Sequence, residues 1–198
     1  MPKSGSSPHV LVLTGTCGSG KTTVSTLLES LHGWARVCED DIWRSRFGNA
    51  RGAFGSAEHR RKRRAMHDVV FEECLPAIAA GRCVVVDATV HEAPPEAYGE
   101  YGEFFDEKGI PWRLRVLHPS LEAAITRDAA RPSGRLGAER VASLRAKFTR
   151  AVFDEDCFVD TTDQTPEQTA LGLLGESAHL VSERSRPCTR IRRVPGRS

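Results

Sequence analysis

The strongest chemical signal in this 198-residue chain is the run Gly15-Thr16-Cys17-Gly18-Ser19-Gly20-Lys21-Thr22. Glycines at this spacing let successive backbone N–H groups turn inward around a phosphate. A helix opening at Lys21 adds the positive end of its dipole. Lys21 can bridge terminal phosphates, and the Thr22 hydroxyl can enter the shell of a Mg²⁺ ion. Gly15, Thr16, Cys17, Gly18, Ser19, Gly20, Lys21, Thr22 and Thr23 are therefore the expected cradle for ATP with Mg²⁺. The pattern follows the apolar run Val10–Thr14 and opens an amphipathic stretch, the strand–loop–helix setting that it requires.

Carboxylates and guanidinia recur further along where phosphoryl transfer could use them. Transfer to a hydroxyl needs positioning, charge compensation and a carboxylate that takes the acceptor's proton. Glu39-Asp40-Asp41-Ile42-Trp43-Arg44 offers that carboxylate. Asp41 is the expected base, with Asp40 second, because the adjacent pair leaves the register open. Arg44, one helical turn on, would point the same way and hold the acceptor or a phosphate that it carries. The competing reading has the two aspartates merely capping the next helix. Asp87 ends an apolar run and is expected to share the Mg²⁺ shell with Thr22, or else to bond loop amides as a strand-end residue. Thr89 is an expected acceptor contact. Arg127 and Arg131 lie one turn apart, so both can reach one anionic target. Pro132-Ser133-Gly134-Arg135 breaks the helix after them, as a lid closing over phosphates would. A solvated basic face is the alternative for Arg131 and Arg135.

The hydrophobic pattern supplies the scaffold. Val10–Thr14 reads as a buried parallel strand, and Val24, Leu27, Leu28 and Leu31 recur at helical spacing until Gly33. Ala35–Cys38, Cys83–Asp87, Arg113–Leu117 and Cys157–Val159 read as four further strands. Met66, Val69, Val70 and Cys74 mark a helix that Pro76 should kink or end. Helical stripes also fall at 94–108, with Tyr98, Tyr101 and Phe105 on one face, at 120–130, and at Val141, Leu144, Phe148 and Val152. Thr165-Pro166-Glu167-Gln168 announces a last helix. Thr165 caps it, Pro166 takes its first position and Gln168 completes a capping box. Strands alternating with helices predict an α/β parallel sheet covered on both faces.

Composition narrows the classes. Hydrophobic residues make up 39% and charged residues 27%, an ordinary globular balance. No stretch has the roughly 18 apolar residues of a membrane helix. The polar start of the chain lacks the apolar centre of a signal peptide, so a cytoplasmic protein is expected. The six cysteines never form C-x-x-C, and neither a zinc site nor a disulfide frame has the required spacing. The formal charge of +2 is uneven: residues 182–198 hold six Arg against one Glu, a local +5, which leaves −3 for residues 1–181. That remainder is a poor electrostatic footprint for a polyanion. The basic end is either a solvated tail or a polyanion-binding arm. The run His59-Arg60-Arg61-Lys62-Arg63-Arg64 is either a solvated helix surface or part of an acceptor site for a phosphorylated or polynucleotide substrate.

Taken in order, four features over about residues 10–174 resemble a family of small P-loop kinases. The family includes the 5′-kinase domain of phage polynucleotide kinase, adenylylsulfate kinase and zeta-toxin-like kinases. Asp41-Ile42-Trp43-Arg44 is similar to the D-D-Y-R of polynucleotide kinases and the D-N-V-R of adenylylsulfate kinases. Val86-Asp87-Ala88-Thr89 resembles their third-strand end, where polynucleotide kinases carry D-T-N. Arg127-x-x-x-Arg131 sits where the family has its arginine-bearing lid. Phe158–Asp163 with Thr165-Pro166-Glu167 looks like the strand and loop beside the adenine, which implies nucleotide contacts from Thr162 and Arg127. The resemblance implies a P-loop NTPase three-layer sandwich with a five-stranded parallel sheet of order 2-3-1-4-5. It divides the chain into a flexible 1–9, a kinase domain 10–176 with its lid around 127–140, and a basic tail 177–198. The implied activity is transfer of the γ-phosphate of ATP to a hydroxyl of a small molecule, such as a nucleoside, sugar or antibiotic. A polynucleotide 5′-hydroxyl is the rival acceptor, and a regulatory nucleotide binder without transfer is the rival class. GTPase-type base recognition is not expected, since N-K-x-D is missing.

Overall fold

A computed structural model describes residues 7–48, 53, 55–88, 96–148 and 153–179. Thr89 and the basic tail beyond His179 lie outside the described residues. The elements run β1 (Val10–Gly15), α1 (Lys21–His32), β2 (Ala35–Cys38), α2 (Glu39–Phe47), α3 (Ala57–Ala79), β3 (Val84–Asp87) and α4 (Glu96–Glu107). They continue as β4 (Trp112–Leu117), α5 (Leu121–Ala129), α6 (Ala138–Lys147), a 3₁₀ turn at Glu155–Cys157, β5 (Phe158–Val159) and α7 (Pro166–His179).

The strands pair in parallel in the order β2-β3-β1-β4-β5. Central β1 is buried along its whole length, as a strand flanked on both edges and covered on both faces must be. Its side chains alternate between two cores. Val10 and Val12 join Val84, Val86, Leu114 and the aromatic residues of α2, α3 and α4. Leu11 and Leu13 join Val85, Leu117, Val24 and Leu28 of α1, and Ala170 and Leu173 of α7. The result is a three-layer P-loop sandwich with helices on both faces of the sheet, the expected order included.

Local signals set several boundaries. The Thr165 N–H donates to Gln168 Oε1 at 2.8 Å and the Gln168 N–H donates to Thr165 Oγ1 at 3.2 Å, which is the capping box read from the sequence. Pro76 does not end α3: the helix runs on to Ala79, and the Ala80 N–H donates to the Pro76 carbonyl. Proline forfeits one backbone bond, and in the last turn little helix remains for it to disrupt. Order also begins before residue 10. His9 is buried with its ring edge-on to Trp34, and its carbonyl accepts from the Val84 N–H. Among the described residues, no helix is long and apolar enough to cross a membrane.

Candidate functional site

Between β1 and α1 the chain folds back on itself. Two glycines are required here by close approach: a Cβ on Gly15 would sit 2.5 Å from the Leu117 carbonyl oxygen. One on Gly18 (φ +76°) would sit 2.1 Å from that of Ala124. The Val24 N–H donates to the Gly20 carbonyl at 2.9 Å, which starts α1 one residue after the loop. α1 has no side-chain cap and no acidic residue in its first turn, so nothing competes with an anion for its N-terminal N–H groups.

The loop floors a cavity of about 320 Å³. The floor is residues 16–24, with Lys21, Thr22 and Thr23 on it; Arg127 and Arg131 form one wall, and Thr161, Gln164, Pro166 and Thr169 close the far end. Every expected cradle residue except the buried Gly15 lines this cavity. The Thr22 hydroxyl is at the opening turn of α1. Among the described residues no three His, Cys, Asp or Glu side chains gather as a metal cage. This donor set fits Mg²⁺, which is commonly held by few protein oxygens together with phosphates and water.

Arg127 does not stand free over the phosphate end. Its Nη2 donates to the carbonyls of Thr161 at 2.7 Å and Thr162 at 3.0 Å, which ties α5 to the loop after β5. Thr162 itself turns away from the cavity. Its hydroxyl accepts from the Ser120 N–H at 2.8 Å and donates to Asp160 at 2.5 Å, so Thr161 takes the lining position expected of Thr162. Thr161 lies in the run Phe158–Asp163 that resembles the loop beside the adenine, whereas only their place beside the Thr165-Pro166 cap points to Gln164 and Thr169. Arg131 does reach the loop, its Nη1 donating to the Cys17 sulfur at 2.8 Å. Arg135 is exposed and donates to the Arg131 carbonyl. Burial, the largest influence, pushes the Cys17 thiol up, and the Asp128 carboxylate adds to it against Arg131 and Lys21.

Asp41 and Arg44 pair at 3.0 Å, with side chains 60% and 61% exposed. Glu39, Asp40 and Asp41 occupy the first turn of α2, and Cys38 is its N-cap without a side-chain bond. The aspartates thus favour the helix dipole from within the helix and do not act as its side-chain cap. Asp87 is held by side chains of β2 and α1. Its Oδ2 lies 2.9 Å from Arg36 Nη2 and accepts from Ser25 Oγ at 3.1 Å, and the residue is 3% exposed. Ser25 Oγ is also 3.0 Å from the Thr22 carbonyl, so Asp87 is joined to the first turn of α1 through Ser25. Asp40, Asp41, Arg44 and Asp87 do not line the cavity. They share with it the edge formed by the C-terminal ends of β1, β2 and β3, where parallel α/β sheets place their ligands.

Beneath Asp40 and Asp41 lies a buried polar network that the sequence did not disclose. Tyr101 Oη donates to Glu39, and His67 Nε2 is 3.6 Å from the same carboxylate. His67 Nδ1 lies 2.5 Å from Glu100, which Arg63 also meets at 3.3 Å. Burial works against the His67 charge, but Glu100 and Glu39 outweigh it and raise the pKa to about 9. The Tyr98 hydroxyl is 2.8 Å from that of Thr14. The basic run 59–64 is divided by the same helix. His59 and Arg63 turn inward, Lys62 pairs with Glu58 at 2.8 Å, and Arg60, Arg61 and Arg64 face outward. Such a division disperses the charge over the faces of α3.

A family model described as an AAA domain (AAA_33) matches residues 10–151. A gluconokinase from Sinorhizobium meliloti 1021 has the same fold, with a TM-score of 0.62 at 16% identity over 89% of this chain and 95% of that one. The APS kinase of Mycobacterium tuberculosis, solved with AMPPNP and APS, gives a TM-score of 0.56 at 18% identity over 86% and 97%. The Pnkp1/Rnl/Hen1 RNA repair complex gives 0.53 at 15% identity over 73% of this chain and 45% of that one. At these identities the likeness establishes the fold. No curated protein sequence matches the chain.

Proposed function

The chain belongs to the AAA domain family whose model spans residues 10–151, and from that premise we propose that it is an ATP- and Mg²⁺-dependent kinase. Its acceptor is a hydroxyl of a small molecule: a nucleoside, sugar or antibiotic. The observation that carries this reading is the cavity of about 320 Å³, where Lys21, Thr22, an uncapped helix N-terminus and Arg131 converge on the space for a polyphosphate. Kinase structures with the same fold, acting on gluconate and on APS, support the reaction class.

In this reading the N–H groups of residues 16–21 hold the β- and γ-phosphates, and Lys21 follows the charge onto the β–γ bridge as that bond breaks. Thr22 and Asp87 would hold Mg²⁺, and the ion would supply charge neutralisation on the phosphate oxygens. Asp41 takes the proton of the acceptor hydroxyl as its oxygen bonds to the γ-phosphorus and ADP leaves. Arg44 pairs with that carboxylate at 3.0 Å and orients the acceptor, with Thr89 as a further acceptor contact. Arg131 compensates the charge that develops on the γ-phosphate. Arg127, bound to the Thr161 and Thr162 carbonyls, shapes the end of the cavity where the base would lie. Residues 10–176 form the kinase domain and 127–140 its lid. A cytoplasmic setting belongs to the same proposal, in keeping with free thiols at Cys17, Cys38, Cys74, Cys83 and Cys157.

The test is transfer from [γ-³²P]ATP across a panel of nucleosides, sugars, antibiotics and a 5′-hydroxyl oligonucleotide. Asp41→Asn should bind ATP and lose transfer. Normal transfer by both Asp41→Asn and Asp40→Asn would remove the assigned base. Salt-sensitive labelling of the oligonucleotide would favour the polynucleotide reading, which the RNA repair neighbour supports and the divided basic run weakens. Tight ATP binding with no labelled product would favour a regulatory nucleotide binder.

A further inference from the structure

One buried carboxylate outside the assigned machinery meets both the phosphate loop and the lid. Asp128 is 2% exposed and sits on α5 between the two wall arginines. Its Oδ1 accepts from the Cys17 thiol at 3.3 Å and lies 3.7 Å from Arg131 Nη1. Its Oδ2 accepts from the backbone N–H groups of Leu136 at 2.9 Å and Gly137 at 3.1 Å. Gly137 is the N-cap position of α6 and offers no side chain of its own, so Asp128 holds the entry to α6 from another helix, through the N–H groups of the N-cap residue and the residue before it. The exposed segment from Arg131 to Leu136 therefore leaves α5 and returns to α6 at the same carboxylate. Both ends of that arch are fixed, and its first residue is the arginine that faces the phosphate cavity.

We propose that Asp128 is the positioning residue that couples the phosphate loop to the lid, holding Arg131 in register with the nucleotide. Cys17 transmits the loop's position to one carboxylate oxygen, and the other oxygen holds the far end of the lid. The close fit of Gly18 against the Ala124 carbonyl gives α5 a second rigid contact with the loop, one turn before Asp128. A nucleotide that orders the loop thus orders the arch, and an ordered arch delivers Arg131. Burial pushes the Asp128 carboxyl up, but the N–H groups of Gly137 and Leu136, the Cys17 thiol and Arg131 together hold it below the usual carboxylate range. The carboxylate consequently stays charged through the neutral range. This inference rests on the nucleotide half of the kinase reading and is independent of the acceptor.

The experiment uses the full chain with Mg²⁺ and a non-hydrolysable ATP analogue, and compares Asp128→Ala, Asp128→Asn and Cys17→Ala with the unmodified protein. Trypsin cleavage of the Arg135–Leu136 bond reports the lid (Arg131 precedes a proline and is resistant). In the unmodified protein the analogue should slow this cleavage about ten-fold, a local opening suppressed by ligand. Asp128→Ala should abolish that protection and weaken analogue binding by about ten-fold or more, the loss expected for hydrogen bonds to a buried charge. Asp128→Asn keeps an acceptor for the lid and should fall between. Cys17→Ala removes the thiol through which the loop meets both Asp128 and Arg131, and should weaken protection by the analogue while the Asp128 bonds to Leu136 and Gly137 remain. A purely structural cap would lower the melting temperature yet preserve protection by the analogue in the folded protein. Full protection and affinity within about two-fold in both Asp128→Asn and Cys17→Ala would overturn the proposal, whether or not Asp128→Ala folds. Failure of the unmodified protein to bind the analogue would instead overturn the nucleotide reading and this inference with it.

Discussion

The two sides of the sheet edge are built by different means. On the proposed donor side, between α1 and α5, the loop backbone shapes the cavity, and glycines allow the chain to approach the Leu117 and Ala124 carbonyls. On the proposed acceptor side, between α2, α3 and α4, side chains dominate, and charges come in matched sets. Arg44 meets Asp41, and Arg63 with His67 meets Glu100 and Glu39. A site for one constant ligand can be made of backbone, whose geometry is fixed. A site that must suit a particular acceptor is made of side chains, which can change without disturbing the sheet.

The largest expected effect separates the two sides outright. Asp41→Asn should lower kcat by about 10²–10⁴-fold, the usual worth of a general base, while leaving ATP affinity unchanged. A parallel loss of ATP binding, read by titration with a fluorescent analogue, would show that the division between the sides is not real.

His67 sharpens the contrast from the acceptor side. His67→Ala removes the cation that Glu39 and Glu100 share, leaving Glu100 with Arg63 alone, and should cost about 3 kcal/mol of stability, measured by urea unfolding. The pH dependence has a defined sign. Because the folded-state pKa is raised from 6.5 to about 9, the stabilisation from His67 is complete below pH 6.5 and is lost as pH rises through about 9. Stability curves of the unmodified protein and His67→Gln should therefore converge toward the alkaline end. Curves that stay parallel between pH 6 and pH 10 would show that the imidazole is neutral.

Gly18→Ala probes the donor side in the same units. A left-handed backbone and a Cβ 2.1 Å from the Ala124 carbonyl should cost about 2 kcal/mol or more, together with ATP affinity. Smallest of all, Lys62→Ala at the outer face of α3 should leave both the melting temperature and transfer unchanged. A marked loss of oligonucleotide labelling in that variant would return the basic run to the acceptor site.

The sequence made the donor side legible because its rules are local. A strand, glycines at fixed spacing and an amphipathic helix follow one another within residues 10–32, and each declares itself without help from the rest of the chain. The capping box of Thr165 and Gln168 was legible for the same reason. The acceptor side was legible only as a short motif. Asp41 and Arg44 are three residues apart and were read correctly as neighbours, whereas the partners of Asp87, Arg127 and Thr162 were not foreseen. Arg36 reaches Asp87 across paired strands, and Arg127 reaches Thr161 from a different element. Sequence spacing carries no information about either.

By itself, then, the sequence determined the α/β layering, the strand that precedes the phosphate loop, and the residue types available for phosphoryl transfer. Periodicity and glycine spacing act within a few residues and survive without tertiary context. Only the tertiary structure decided which charges meet. It divided the run at 59–64 among the faces of α3, buried His67 between two carboxylates, exchanged Thr162 for Thr161 at the cavity, and set Asp128 between Cys17 of the loop and the backbone of Leu136 and Gly137. A buried charge is stable only beside its counter-charge, and that partner is chosen by how the helices pack on the sheet.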